Sequence, residues 1–204
     1  MGYVIKRLFG EEFNNLLFLN LLVTLLCMPV ITIGPALLAL TGTLVKILDD
    51  RCQLDRVKEF WGLFKSKFLA GVLFELLLAA YAFMLLWSQS LALQLGEGKD
   101  FVLVLTLLFT ILAAVVSVST GVILASVKAP FGQCLWNGLI LAVGRFPRVA
   151  MSAVCVYGML YVGFLLYPIS VVPMMIIMIS TTAVLSLACI WPALDELVLS
   201  ACDE

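Results

Sequence analysis

The sequence predicts an all-α polytopic membrane protein, a helical bundle of five to six membrane segments with short interfacial helices between them. Of 204 residues, 64% are hydrophobic and only 12% are charged, whereas charged residues are about 25% of a soluble globular domain. The uncharged runs are continuous and leucine-rich rather than alternating, which argues against a transmembrane barrel. In hydrocarbon every backbone N–H and C=O must be paired internally, which leaves helices. Basic residues gather between the runs, as loops of a multi-pass protein require. No repeat, low-complexity tract or linker divides the chain, so one domain is expected over 1–204.

Residues 1–12 mix Tyr3, Val4, Ile5, Leu8 and Phe9 with Lys6 and Arg7, the composition of an amphipathic entry segment at the interface. Lys6 stands where a myristoylation signal needs Ser or Thr. From Phe13 to Val45 the chain runs 33 residues without a charge, too long for a cleavable leader and more than the roughly 20 apolar residues of one crossing. Pro29, Gly34 and Pro35 break it near its middle, which predicts segments over 13–28 and 35–48. The two halves form either one bent crossing or a re-entrant hairpin. A single crossing places Lys6 and Arg7 outside, against the charge bias of the other connections, so the hairpin is the expectation.

Aromatics and lysines interleave over 56–67 (Phe60, Trp61, Phe64, Lys65, Lys67), as in a helix lying among headgroups before the crossing at 68–92. A further crossing is expected at 101–127. The uncharged core of 130–146 is short and closes on Arg145-Phe146-Pro147-Arg148, so a shallow in-plane helix fits. The uncharged run from Val149 to Leu194 is long enough for two helices, expected at 149–167 and 173–194 with a turn at Pro168 and Pro173.

Lys46, Arg51, Arg56, Lys58, Lys65 and Lys67 fall in one connection and Lys128, Arg145 and Arg148 in another. The positive-inside rule then makes 46–67 and 128–148 cytoplasmic, together with the C-terminus, in a cell membrane.

Three blocks carry a family likeness. They are Asn14-Asn15-Leu16-Leu17-Phe18-Leu19-Asn20-Leu21-Leu22 leading into Pro29-Val30-Ile31-Thr32-Ile33-Gly34-Pro35-Ala36, the aromatic-lysine block Phe60 to Phe68, and Leu135-Trp136-Asn137-Gly138 through Arg145-Phe146-Pro147-Arg148. Together they resemble the YesL-like family of small bacterial integral membrane proteins of unknown activity. Gly138 departs from the alanine expected after the asparagine, and the tail after Trp191 is short. The resemblance implies an accessory role in carbohydrate uptake or its regulation, beside sugar ABC-transporter permease subunits. It brings no catalytic residue.

Chemistry is sparse. The chain has no histidine, and no catalytic, cofactor-binding or metal-binding residue is expected. No nucleic-acid partner is expected either; the lipid bilayer is. The six cysteines lack metal-ligand spacing and read as buried free thiols. Asp49, Asp50, Asp55 and Glu59 are interspersed with basic residues and read as a solvated mixed-charge face.

Glu75 is the one ionisable residue inside an expected crossing, with Gly71 and Ala79 on its face. It is a candidate proton or cation site, or a structural hydrogen-bonding group. Small residues recur helically at Ser117 and Gly121 and at Ser180, Ala183 and Ser186, which favours close packing over a substrate path. The candidate functional or partner-contact positions are Asn20, Pro29, Gly34, Pro35, Glu75, Asn137, Arg145, Pro147 and Arg148. Two functional classes follow: a non-catalytic accessory protein, and a small proton- or ion-coupled transporter or channel using Glu75 and the broken first helix.

Overall fold

The structure, a computed structural model, describes residues 13–48, 55–94, 99–167 and 178–194. The entry segment 1–12, Asp49, Asp50, the Pro168–Pro173 turn and the tail after Leu194 lie outside the described residues. Among the described residues the fold is a bundle of seven α-helices, consistent with a helical membrane protein. They are α1 Phe13–Leu26, α2 Ile33–Leu48, α3 Arg56–Gln94, α4 Lys99–Ser126, α5 Phe131–Gly144, α6 Phe146–Leu165 and α7 Ile179–Leu194. Four stretches are long and apolar enough to cross a bilayer: Val30–Leu48, Arg56–Ala92, Asp100–Ser126 and Phe146–Leu165. Asn14–Leu26, Phe131–Gly144 and Ile179–Pro192 are shorter apolar helices.

The uncharged first run breaks into two helices around Cys27–Thr32. Val30–Thr32 forms a single 3₁₀ turn with Pro29 at its start in extended backbone. The Thr32 hydroxyl donates to the carbonyls of Leu26 and Pro29, the first an acceptor that the end of α1 leaves open. Pro35 sits in the first turn of α2, where its missing N–H costs nothing.

α2 is the hub. Twelve of its 16 residues are buried, and α1, α3, α4 and α7 all pack on it. It runs antiparallel to the first half of α3, from Gly34 facing Gly71 at one end to Lys46 paired with Glu59 at 2.5 Å at the other. That pair puts a cation on the last turn of α2 and a carboxylate on the first turn of α3, each at the favourable end of a helix dipole. Asp55 pairs with Lys58, so the described members of the acidic cluster are engaged with basic neighbours.

Continuity of α3 differs from the expectation. The segment 56–67 is not a separate helix that turns into the next; it continues without a break through 68–92 as part of one helix of 39 residues. Neither proline nor a disruptive pair interrupts 56–94, and Gly71 is held inside a tight helix contact rather than at a bend. Trp61 and Trp87, both exposed, are about 39 Å apart along this axis at 1.5 Å per residue, comparable to the separation of the two interfaces of a bilayer.

The contiguous hydrophobic core gathers at one end of the long helices. Phe60, Leu63 and Phe64 of α3 and Val122, Ile123, Leu124 and Ala125 of α4 join the core around α2. Beyond it, no side chain of α3 between Glu75 and Leu91, and none of α4 between Asp100 and Ala114, is buried. The outer half of this pair is an apolar hairpin with its surface open to whatever surrounds it.

α5 crosses α4 closely at Gly138. A Cβ added there would lie 2.2 Å from Thr120 Oγ1 and 2.8 Å from Thr120 Cα, and Ser119 Oγ donates to the Gly138 carbonyl at 2.8 Å. A glycine is therefore what this crossing requires. Gly138→Ala is expected to destabilise the protein by about 1–3 kcal/mol through overpacking. Gly62→Ala, where an added Cβ meets nothing within 4 Å, is the matched control and is expected to hold or slightly raise the thermal midpoint in detergent.

Candidate functional site

The site is built on the N-terminus of α2. A helix start leaves backbone N–H groups without intrahelical partners, and the group at Gly34 is met by a side chain from another helix. Gly34 N donates to Glu75 Oε2 at 3.0 Å. Two expected site residues, 41 positions apart, are thus one structural unit. The carboxylate faces the positive end of the α2 dipole, a favourable place for an anion. Along α3, Glu75 lies roughly midway between Trp61 and Trp87.

Glycine makes this approach feasible on both helices. A Cβ on Gly34 would fall 2.5 Å from the Gly71 carbonyl oxygen, and one on Gly71 would fall 2.5 Å from Pro35 N and 2.6 Å from Pro35 Cα. No side chain fits between the two backbones here. Pro35 is buried in the same contact.

A second helix start is held in the same way. Asn20, fully buried on α1, accepts through Oδ1 from Ser180 N at 2.8 Å and from Ser180 Oγ at 3.0 Å, satisfying the first turn of α7. Asn20→Ala leaves these groups in an apolar interior and is expected to cost about 1–3 kcal/mol. Unfolding of the detergent-solubilised variant checks this, and a midpoint equal to the parent's counts against the cap.

Beside Glu75 opens a cavity of about 560 Å³, within the range of small-molecule pockets. Cys27 from the turn after α1 and residues from α2, α3, α4, α6 and α7 line it, and its walls are almost wholly apolar. Ser117, Gly121, Ala183 and Ser186, expected to close helix contacts, stand on its wall. Some of them bridge helices as well. Ser117 Oγ lies 2.8 Å from Tyr157 Oη, and Ser152 Oγ lies 2.8 Å from Ser186 Oγ.

The remaining candidates do not join this site. Pro29 is exposed at the turn. Asn137 is exposed on α5, and Arg145 forms the corner between α5 and α6, its N–H donating to the Leu141 carbonyl at 3.0 Å. Pro147 and Arg148 are exposed in the first turn of α6. None of these lines the cavity.

Lys67 was not singled out by sequence, yet it is 8% exposed and donates from Nζ to the Val127 carbonyl just past α4. It places a cation at the negative end of that helix, two turns from Glu75 on the same α3. Cys134, buried beside it, is pushed above its ordinary thiol value by burial, and the Lys67 charge opposes that shift. The described cysteines are all free thiols.

The region that builds the α2–Glu75 junction is also the region with a recognisable relationship. Residues 13–89 match the family model described as "Protein of unknown function, DUF624". The match runs from the start of α1 through the turn and α2 to most of α3, and so contains Asn20, Gly34, Pro35, Gly71 and Glu75. No curated protein and no solved structure matches the chain.

Proposed function

We propose that this chain is a non-catalytic accessory protein of the bacterial cell membrane, acting in carbohydrate uptake or its regulation through sugar ABC-transporter permease subunits. The YesL-like resemblance supplies the biological setting. The physical observation that supports it is the bare outer hairpin of α3 and α4, whose exposed Phe83, Trp87, Leu108 and Phe109 offer an apolar helical surface that a permease helix can cover within the bilayer. Three polar side chains inside the bundle tie helices together: Glu75 on α2, Asn20 on α7 and Lys67 on α4. In this reading the connections 46–67 and 128–148 and the C-terminus face the cytoplasm, and the α1–α2 pair enters and leaves from that side.

A photo-crosslinking residue at Phe83 or Leu108, activated in cells growing on the inducing sugar, tests the proposal. Adducts to a sugar-permease subunit support it. Adducts to lipid alone, with no protein partner at either position, overturn it.

One observation favours a second reading, a small proton- or ion-coupled transporter. Transporters often place sites where a discontinuous helix ends near the midplane, and α2 starts against Glu75 at an open cavity. Solute flux into liposomes that depends on a proton gradient and vanishes in Glu75→Gln would establish it. Equal flux in protein-free liposomes removes it.

A further inference from the structure

The cavity beside Glu75 has a composition that selects its ligand. Glu75 is the one formally charged side chain among its described lining residues, and no basic group stands on its wall. One carboxylate oxygen is taken by Gly34 N; among the described residues the carboxylate makes no other hydrogen bond or ion pair. A carboxylate accepts at two oxygens, so this group retains capacity toward the cavity.

The hydroxyls of Thr41, Thr182 and Ser117 on the cavity wall are already engaged. Thr41 Oγ1 donates to the Leu37 carbonyl and Thr182 Oγ1 to the Met178 carbonyl. Ser117 bonds the Ala114 carbonyl and shares a contact with Tyr157. A ligand that brings its own donor therefore suits the open oxygen of Glu75. The wall also carries the rings of Phe74 and Tyr157, whose faces attract cations, and beyond them lies continuous hydrocarbon surface from Leu37, Leu78, Met159 and Leu160.

We infer that this cavity binds a lipophilic primary ammonium compound, a molecule with a hydrocarbon body and one ammonium group that meets the carboxylate of Glu75. The ammonium supplies the missing donors and balances the single charge, while the body fills the apolar space between α2, α4, α6 and α7. Exposed Leu37, Tyr157 and Leu160 at the rim leave an opening toward the surroundings of the bundle, the side from which a membrane-dissolved amphiphile arrives. The inference holds whether the chain acts as an accessory protein or as a transporter.

The test uses the full chain in lipid nanodiscs with three photoreactive probes: an alkylamine, the alkanol of equal chain length, and a phosphatidylethanolamine carrying the photoreactive group in its acyl chain. Labelled peptides are mapped by mass spectrometry. The amine is expected to label α6 and α7 around Leu160 and Thr182 about tenfold more than the alkanol, and Glu75→Gln to remove that excess. Glutamine keeps an acceptor for Gly34 N, so the bundle survives the change.

Gly121→Leu provides a second variant away from the α2 junction. An added Cβ there meets the Phe74 ring at 3.7 Å, an ordinary contact, and the larger side chain occupies the cavity. It is expected to lower labelling by amine and alkanol together. Phosphatidylethanolamine labelling with the same Glu75 dependence assigns the ammonium to a membrane lipid; its absence, with amine labelling intact, assigns it to a free amine. Equal labelling by amine and alkanol, or amine labelling indifferent to Glu75→Gln, overturns the inference.

Discussion

Gly71→Ala is expected to cost a large part of the folded protein. The new Cβ would fall 2.5 Å from Pro35 N and 2.6 Å from Pro35 Cα, both backbone atoms of a buried helix. A side-chain neighbour could rotate away, whereas here α2 itself must move, and α2 carries the packing of α1, α3, α4 and α7. The cost is about 3 kcal/mol, the upper end of ordinary overpacking, and Gly71→Leu exceeds it. Size-exclusion of the detergent-solubilised variant reads the outcome: aggregated or absent protein for Gly71→Leu and a clearly lowered thermal midpoint for Gly71→Ala. A parent-like profile for both means that α2 and α3 are not in backbone contact at this level.

Glu75→Ala should lower stability by about 1.5–3 kcal/mol, because it leaves the Gly34 N–H at an apolar cavity wall without its charged acceptor. Glu75→Gln keeps an acceptor oxygen at the same reach and recovers most of the loss. The order parent, glutamine, alanine in thermal midpoint is what a hydrogen-bonding role requires. If glutamine is as damaging as alanine, the charge rather than the acceptor holds the junction. If neither changes the midpoint, the contact contributes nothing to the fold.

The helical class was plain from the sequence because the bilayer imposes it: long uncharged runs and basic connections leave few alternatives. The break near Pro29 to Pro35 was equally legible, since two prolines and a glycine interrupt one apolar run. The unbroken α3 was not. Lysines and aromatics over 56–67 mark an interfacial level equally for a helix lying in the plane and for one passing through it. Nor could periodicity show that α2 would be buried at the expense of the outer hairpin.

Gly34, Pro35 and Glu75 were each visible as oddities for their surroundings, a breaker pair and a lone intramembrane carboxylate. Their union was not, because it depends on the antiparallel alignment of α2 with α3, which local pattern does not encode. Asn20 followed the same course, its partner Ser180 lying 160 residues away. Lys67 escaped notice because a lysine at the end of an apolar run ordinarily anchors a span in the headgroups, and only the position of the end of α4 turns it inward.

The junction between the start of α2 and Glu75 organises the hub helix, the cavity and both functional readings. Solid-state NMR of the protein in lipid, with ¹⁵N at Gly34 and ¹³C at the Glu75 carboxyl carbon, measures it directly. A hydrogen bond with Gly34 N 3.0 Å from Glu75 Oε2 predicts clear dipolar dephasing between the two labels. No dephasing in the parent protein would contradict the account, because α2 would then not begin against α3.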